Sequence, residues 1–335
     1  MSSFAQDANF SQFFNNPVYY NPATTAMNGG YTVRLQARNL WAPIPGRFNS
    51  YSAGFEAEMI PRVGLGVLGF SDVGGEGLLR TVGGYLSYSY RAVETKNFMW
   101  QLGVSGGIIN KYVDWSQFTF SDQLHEVQGE VRSSNFIAPN SNNVMYADFG
   151  AGTAIRFNHE SKKSGPYRRM MTTVGFGIHH LNQPSDAFIL GFEYLPIKYT
   201  GHLKTEILVE ELILSPAVIY ERQNQFQTFS AGMALLVKPV SVGIWFRNRS
   251  YTMAFNNYDS FIFALGMQLP MKNEKSVRLT YSIDFTLSRL RSASFGSHEL
   301  SLIMNFDNRY VMKGKHRKQK RRSTYKCPTE FMGSY

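Results

Sequence analysis

SVRLTYSIDFTLS, residues 276–288, decides the fold. From Val277 to Leu287 every odd position is apolar: Val277, Leu279, Tyr281, Ile283, Phe285 and Leu287. The even positions are Arg278, Thr280, Ser282, Asp284 and Thr286. A strict period of two over about eleven residues is a strand with one apolar and one polar face. SASFGSHELSLIMNF (292–306) repeats the pattern less cleanly through His298, Leu300, Leu302, Met304 and Phe306. Strands of soluble sandwiches usually run about five or six residues. About ten residues ending in aromatics suit the width of a membrane instead.

Working outward, the same unit recurs. In 31–41, Tyr31, Val33, Leu35, Ala37 and Trp41 oppose Thr32, Arg34, Gln36 and Arg38; in 51–59, Tyr51, Ala53, Phe55, Ala57 and Met59 oppose Ser52, Gly54, Glu56 and Glu58. Further strands are predicted at 61–71, 77–91, 97–109, 143–157, 169–181, 198–208, 211–222, 225–237, 239–247 and 258–269. The total of about fourteen is even, as a closed antiparallel bacterial barrel requires. With a periplasmic N-terminus the odd-numbered connections should be the long outer loops. They fall at 42–50, 72–76, 110–142, 182–197, 223–224, 248–257 and 288–294. The even-numbered ones are mostly tight, with 223–224 and 158–168 breaking the alternation.

The totals agree with an all-β membrane barrel. Among 335 residues 43% are hydrophobic and 15% aromatic, with 29 Gly and 13 Pro. No apolar run approaches the roughly 18 residues of a membrane helix. The net charge of +10 is largely a feature of the tail, because seven of the ten residues in KGKHRKQKRR (313–322) are Lys or Arg. The division expected is 1–5 as the remnant of a cleavage site (Ser3-Phe4-Ala5 before Gln6 has the small-x-small form), 6–30 as a periplasmic lead-in or plug, 31–306 as the barrel and 307–335 as a basic periplasmic tail.

Several apparent motifs lose to plainer readings. GLGVLG (Gly64, Gly66, Gly69) lacks the helix and the acidic residue of a dinucleotide fold, so glycines at a crowded barrel corner explain it better. His179 and His180 are adjacent on a strand and should point to opposite faces, which rules out one shared metal. Asp284 shares a face with Arg278 and Ser282, but His298 falls among the apolar positions of its strand and points the opposite way, so no catalytic set is expected. Cys327 has no partner for an internal disulfide and no catalytic frame. No aromatic interleaves the basic run, and no nucleic-acid partner is expected. Lys313, Lys315, Arg317, Lys318, Lys320, Arg321 and Arg322 would meet an acidic protein, outer-membrane lipid or cell-wall polymer. Arg34, Arg38, Glu56, Glu58, Asp148, Arg156, Arg278, Asp284 and Glu299 should form a paired charge network in a packed lumen. Tyr112, Trp115, Phe118, Phe120 and Phe136, on the third outer loop, read as a binding surface or a lid. No cofactor is expected.

QDANFSQFFNNPVYYNPA at the start and YSIDFTLS…GSHELSL near the end resemble the PorP/SprF family of Bacteroidetes outer-membrane proteins. The resemblance spans Gln6 to Cys327-Pro328 and rests on Gln6, Asp7, Phe10, Ser11, Gln12, Asn16, Pro17, Asn21 and Pro22 together with Gly296-Ser297-His298-Glu299. It implies a non-enzymatic barrel working in type IX secretion and gliding, which holds or helps to translocate secreted adhesin-like cargo bearing a type IX sorting domain. It also implies periplasmic or outer-membrane lipoprotein partners, some linked to peptidoglycan, met by Phe10, Asn16, Pro17, Asn21 and Pro22 and by the tail. The rival expectation is a transporter of hydrophobic small molecules similar to the fatty-acid channels, whose plug contains Asn-Pro-Ala, here Asn21-Pro22-Ala23.

Overall fold

The computed structural model describes residues 8–41, 46, 48–75, 78–120, 122–125, 129–130, 133–135, 142–160, 169–188, 194–249, 258–271, 275–287 and 296–306. After three short helical turns between Phe13 and Thr24 the chain is strand: β1 Tyr31–Leu40, β2 Phe48–Ile60, β3 Val63–Gly74, β4 Leu79–Glu94, β5 Phe98–Val113, β6 Leu124–His125, β7 Gly129–Glu130 and β8 Asn143–Glu160. Then follow β9 Arg169–His179, β10 Lys198–Val209, β11 Leu212–Gln223, β12 Phe226–Val237, β13 Val240–Asn248, β14 Tyr258–Met271, β15 Lys275–Thr286 and β16 Ser297–Phe306. β6 and β7 pair only with each other, and the other fourteen form a closed barrel.

Every barrel strand pairs antiparallel with its neighbours in the chain, and β16 returns to β1 with Tyr31 opposite Phe306 and Leu40 opposite Ser297. Closure leaves no unpaired edge for lipid to meet. No described helix is long and apolar enough to cross a membrane, so the crossing elements are the strands.

The period of two sorts the side chains as the barrel demands. On β15, Leu279, Tyr281 and Phe285 point outward and are exposed, whereas Thr280, Ser282 and Asp284 face the bore and are buried. The same holds on β16, with Leu300 outside and Glu299 and Ser301 inside. Apolar outside and polar inside inverts the soluble pattern and makes lipid the outer solvent. Ile303 is the inward apolar residue that blurs the alternation of β16. That strand starts later than predicted, after Gly296 with its left-handed φ of 72°. At one rim Tyr31 stacks on Phe306 and Phe98 packs against Phe157, an aromatic girdle of the kind that marks a membrane interface.

Long and short connections mostly alternate between the two ends, with the tight link from Gln223 to Phe226 and the longer one from Glu160 to Arg169 as exceptions. Ile60 to Val63, Val209 to Leu212 and Val237 to Val240 turn tightly at the end that holds Tyr31 and Phe306, whereas Val113 to Asn143 and His179 to Lys198 are long links at the opposite end. One irregularity lies in the wall: Lys204 pairs with Ala217 and Ile207 with Leu214, and between them Pro216, without an N–H, interrupts the ladder.

Depth in the bilayer predicts a graded cost of charge on the outer face. Leu86, 67% exposed at the middle of β4, should lose about 2–4 kcal/mol of folding free energy on Leu86→Arg, and Leu79→Arg at the strand end only about 0–1 kcal/mol. Equal costs in bilayer folding titrations would contradict the assignment of the outer face to lipid.

Candidate functional site

The bore is filled by residues 8–30, which run through it from the long-loop end to the short-turn end and join β1 at Tyr31. Their composition matches three different walls. Phe13, Phe14 and Tyr20 face the apolar inner surface of β11 to β14, made by Ala217, Ile219, Trp245, Ile262 and Ala264. Phe14 stacks on the indole of Trp245 with centroids 4.3 Å apart and planes at 13°.

Ser11 to Asn16 face the polar strands. The backbone N–H of Ser11 (2.6 Å) and of Gln12 (3.0 Å) both donate to the carboxylate of Glu299. Ser11 Oγ donates to Asp284 (2.5 Å), Gln12 Nε2 to Ser282 Oγ (2.9 Å), Asn15 Nδ2 to Ser301 Oγ (2.7 Å) and Asn16 Nδ2 to Ser52 Oγ (3.1 Å). Apart from the single turn in which Asn15 N–H donates to the Gln12 carbonyl (2.9 Å), this segment has no helix or sheet to satisfy its amide groups, and a buried unpaired amide costs about 1–3 kcal/mol. Wall side chains supply those bonds.

The turn from Asn21 to Ala26 rests on a bed of glycines. A Cβ at Gly103 would collide with the backbone of Pro22 and Ala23, one at Gly152 with the Asn21 amide, and one at Gly177 with the Tyr20 carbonyl. Gly64 and Gly66 make room for Thr25 and Ala26. The crowding at Gly64 and Gly66 therefore comes from the plug and not from a barrel corner, and Gly69 is not crowded. Asn21 Nδ2 donates to the Thr153 carbonyl (3.0 Å) and approaches His202 Nε2 (3.1 Å). Ser89 and Gln101 both donate to the Thr25 carbonyl, and Arg91 to that of Ala26.

The charged residues singled out in the sequence line this bore. Arg34 pairs with Glu56 at 2.6 Å, Arg38 with Asp284 at 3.1 Å and with Glu299 at 3.9 Å, and Glu58 with Arg91 at 2.7 Å. Asp148 accepts from Tyr85 (2.5 Å) and lies 3.0 Å from His180. Arg156 donates to Thr173 Oγ1 (3.1 Å) and Arg278 to Gln268 Oε1 (3.1 Å). Arg91, Arg247, Lys198, Glu221, Lys204 and Glu206 also line it and were not singled out. Arg247 reaches Asp284 (3.4 Å) and Ser11 Oγ (3.0 Å), and Lys198 pairs with Glu221 at 3.0 Å. Their strands showed the right period, but a lone charge on a polar face does not reveal its partner.

Three other expectations change. Phe10, Asn16, Asn21 and Pro22 are buried in the bore and Pro17 is half-buried, so these residues do not form a surface offered to a periplasmic partner. His179 and His180 both turn inward, because His180 takes a left-handed φ of 58° just past the strand end. His179 Nε2 lies 3.1 Å from the Tyr20 carbonyl, and among the described residues no cluster of His, Cys, Asp or Glu could hold a metal ion. Tyr112 belongs to β5 and not to the loop beyond it.

At the long-loop end, Trp115 packs on Phe118 (5.8 Å) and Phe118 on Phe120 (6.3 Å). Phe188, from the connection after β9, meets Trp115 edge-on at 6.0 Å. Lys111 pairs with Asp186 and joins the same two segments below the aromatics. Asp114 caps the turn that starts this cluster: the Ser116 hydroxyl donates to it and holds its carboxyl below the usual range. Phe136 and the basic residues 313–322 lie outside the described residues.

The glycine bed predicts how to unseat the plug. A cysteine introduced as Ser11→Cys, with Cys327→Ser, should resist a water-soluble maleimide in the folded barrel. Adding Gly177→Val puts a branched side chain where Tyr20 lies and should raise the labelling rate by at least about tenfold while the barrel stays folded. Unchanged protection would show that the plug does not depend on that contact.

No curated protein sequence matches the chain. Among solved structures it is similar to a FadL homologue from Pseudomonas aeruginosa, with 14% identity, 88% of this chain and 94% of that one covered, and a TM-score of 0.44. The toluene transporter TodX of P. putida gives 10% identity, coverage of 88% and 95%, and a TM-score of 0.46. A deltaS2S3 mutant of the TodX monoaromatic hydrocarbon channel gives 10%, coverage of 87% and 94%, and 0.49. All three scores are too low to bear on function. A family model for the type IX secretion system membrane protein PorP/SprF matches residues 2–304. With its apolar outer face and polar bore the protein is an outer-membrane barrel, and the chain belongs to the PorP/SprF family of type IX secretion system membrane proteins.

Proposed function

We propose that this barrel serves type IX secretion as an accessory at its two rims: it holds, or helps to translocate, secreted surface proteins outside and joins lipoproteins of the machinery inside. The observation that carries this reading is the filled bore. Residues 8–30 bond through their own backbone to Glu299, Glu56 and Arg91, and these bonds would have to break before a cargo polypeptide could pass. Work is then left to the surfaces at the ends.

By the rule that bacterial barrels keep short turns in the periplasm and long loops outside, the cluster of Trp115, Phe118, Phe120 and Phe188 faces the exterior. Phe118 is exposed, and aromatic clusters on connecting loops are the usual anchors of a protein interface. Tyr112, exposed at the end of β5, extends that surface. Cargo carrying a type IX sorting domain is the partner that family membership suggests. β16 ends at the rim this rule assigns to the periplasm, and the basic residues Lys313 to Arg322 follow it in sequence. Its charge suits acidic patches on periplasmic lipoproteins, including those bound to peptidoglycan. The rival reading, a transporter of hydrophobic small molecules, needs the plug to move aside.

The triple variant Trp115→Ala/Phe118→Ala/Phe120→Ala in the native host should shed cargo into the medium, with surface retention down at least about tenfold, since each anchoring aromatic supplies about 2 kcal/mol. Barrel abundance should not change. Removing residues 307–335 should spare cargo retention and abolish co-purification of periplasmic lipoproteins. Cargo held as well by the triple variant as by the parent would remove the loop cluster from the interface.

A further inference from the structure

We propose that the periplasmic half of the bore binds a single-chain amphiphile with an anionic head, the head on Arg278 and Lys204 and the chain in the slot beside Trp245. Two cavities meet there. One, of about 1120 Å³ with its open solvent included, lies between the plug and the wall and is lined by Phe13, Phe14, Lys204, Glu206, Arg278 and Ile303 among others. The second, of about 550 Å³, shares Phe14, Lys204, Glu206 and Arg278 and continues along Ala217, Ala234, Trp245 and Ala264.

The chemistry of the lining selects the ligand. The wall of the second cavity is built from small side chains (Ser215, Ala217, Ala234, Ser241, Ala264) and from Gly243 and Gly266. The Trp245 indole lies across Gly232 and Gly243, where any Cβ would strike it. Phe14 stacked on that indole gives the slot an aromatic side. Most of that surface is apolar, with the Ser215, Ser241 and Thr280 hydroxyls as its polar points, and it takes a hydrocarbon chain.

At the junction the charges do not balance. Lys204 pairs with Glu206 at 2.6 Å, and Arg34, on the same cavity, pairs with Glu56. Arg278 has only the neutral Gln268 amide oxygen at 3.1 Å, and among the described residues no carboxylate pairs with it. Every other bore arginine bonded to the plug, Arg34, Arg38, Arg91, Arg156 and Arg247, also reaches a plug carbonyl or hydroxyl. A guanidinium offers a planar fork that fits the two oxygens of a carboxylate or phosphate. Lys204, Glu206 and Arg278 line both cavities, and with Lys204 paired to Glu206 the junction carries one positive charge in excess, on Arg278, at the mouth of a mostly apolar slot. A fatty carboxylate and a lysophospholipid phosphate present the same chemistry, and Arg278 accepts either.

Trp245 reports occupancy directly. The full-length barrel in a fluorinated surfactant is titrated with 11-bromoundecanoate, with a lysophosphatidate bearing the same brominated chain, and with 11-bromoundecanol. The bromine should quench tryptophan saturably with at least one anion and not with the alcohol. Trp245→Phe should remove the saturable component and leave the non-saturable quenching of outward-facing Trp100. Arg278→Gln should weaken binding at least about tenfold, and the tighter anion identifies the head. Equal binding of the alcohol, undiminished binding by Arg278→Gln, or no saturable quenching by either anion would overturn the site. If Arg278→Gln loses its heat-modifiable migration and so its fold, Ala264→Phe closes the slot with the arginine in place. Anion binding retained by that variant would overturn the proposal equally.

Discussion

One carboxylate organises the inside of this protein. Glu299 accepts two consecutive backbone N–H groups, those of Ser11 and Gln12, and the Gln36 side-chain amide at 2.5 Å, with Arg38 close by. A closed barrel sends every second side chain of every strand into a narrow space. If those side chains are polar they must find partners there, because each unmatched group costs about 1–3 kcal/mol. The twenty-odd residues ahead of β1 are such partners. They are rich in amide side chains and poor in regular backbone hydrogen bonds, so plug and wall each satisfy what the other leaves open.

The plug also explains why the bore is not uniform. Where it offers phenyl and phenol rings the wall answers with Ala217, Ile219, Trp245 and Ala264; where it offers amides the wall answers with Ser282, Glu299 and Ser301; where its backbone comes closest the wall is glycine. A water-filled channel needs no such matching along its length. Specific packing in the bore and aromatic surfaces at the rim together suit the proposed role of holding partners. The imbalance of charge at Arg278 is the place where the matching stops.

Much of this architecture could be read from the chain, because a period of two is a local signal and a closed barrel is little more than its repetition. β15 shows it best, with no exception from Val277 to Leu287. β16 shows it less well, since Ile303 faces inward toward the plug, a contact that no local pattern encodes. The fate of residues 8–30 was harder to read. The segment carries no period, and its bonds join positions such as Ser11 and Glu299 that are 288 apart in the chain. The two histidines at the end of β9 misled for a different reason: alternation ends where His180 turns left-handed, and both rings then face the same way. The glycines were visible, but what crowded them was not. The loop aromatics were visible too, yet Phe188, which completes their cluster, comes from another connection.

The bonds of Ser11 and Gln12 to Glu299 and Asp284 carry a consequence for the order of assembly. The earliest segment of the chain can take its final place only when the last two strands have been made and aligned. Until then its amides have no acceptor and the seam between β1 and β16 lacks the clasp that Arg38 and Gln36 form through Glu299. Seating of the plug and sealing of the barrel are therefore one event. A nascent molecule cut short before β16 would be both open-walled and unplugged, a state that quality control could recognise by a single criterion.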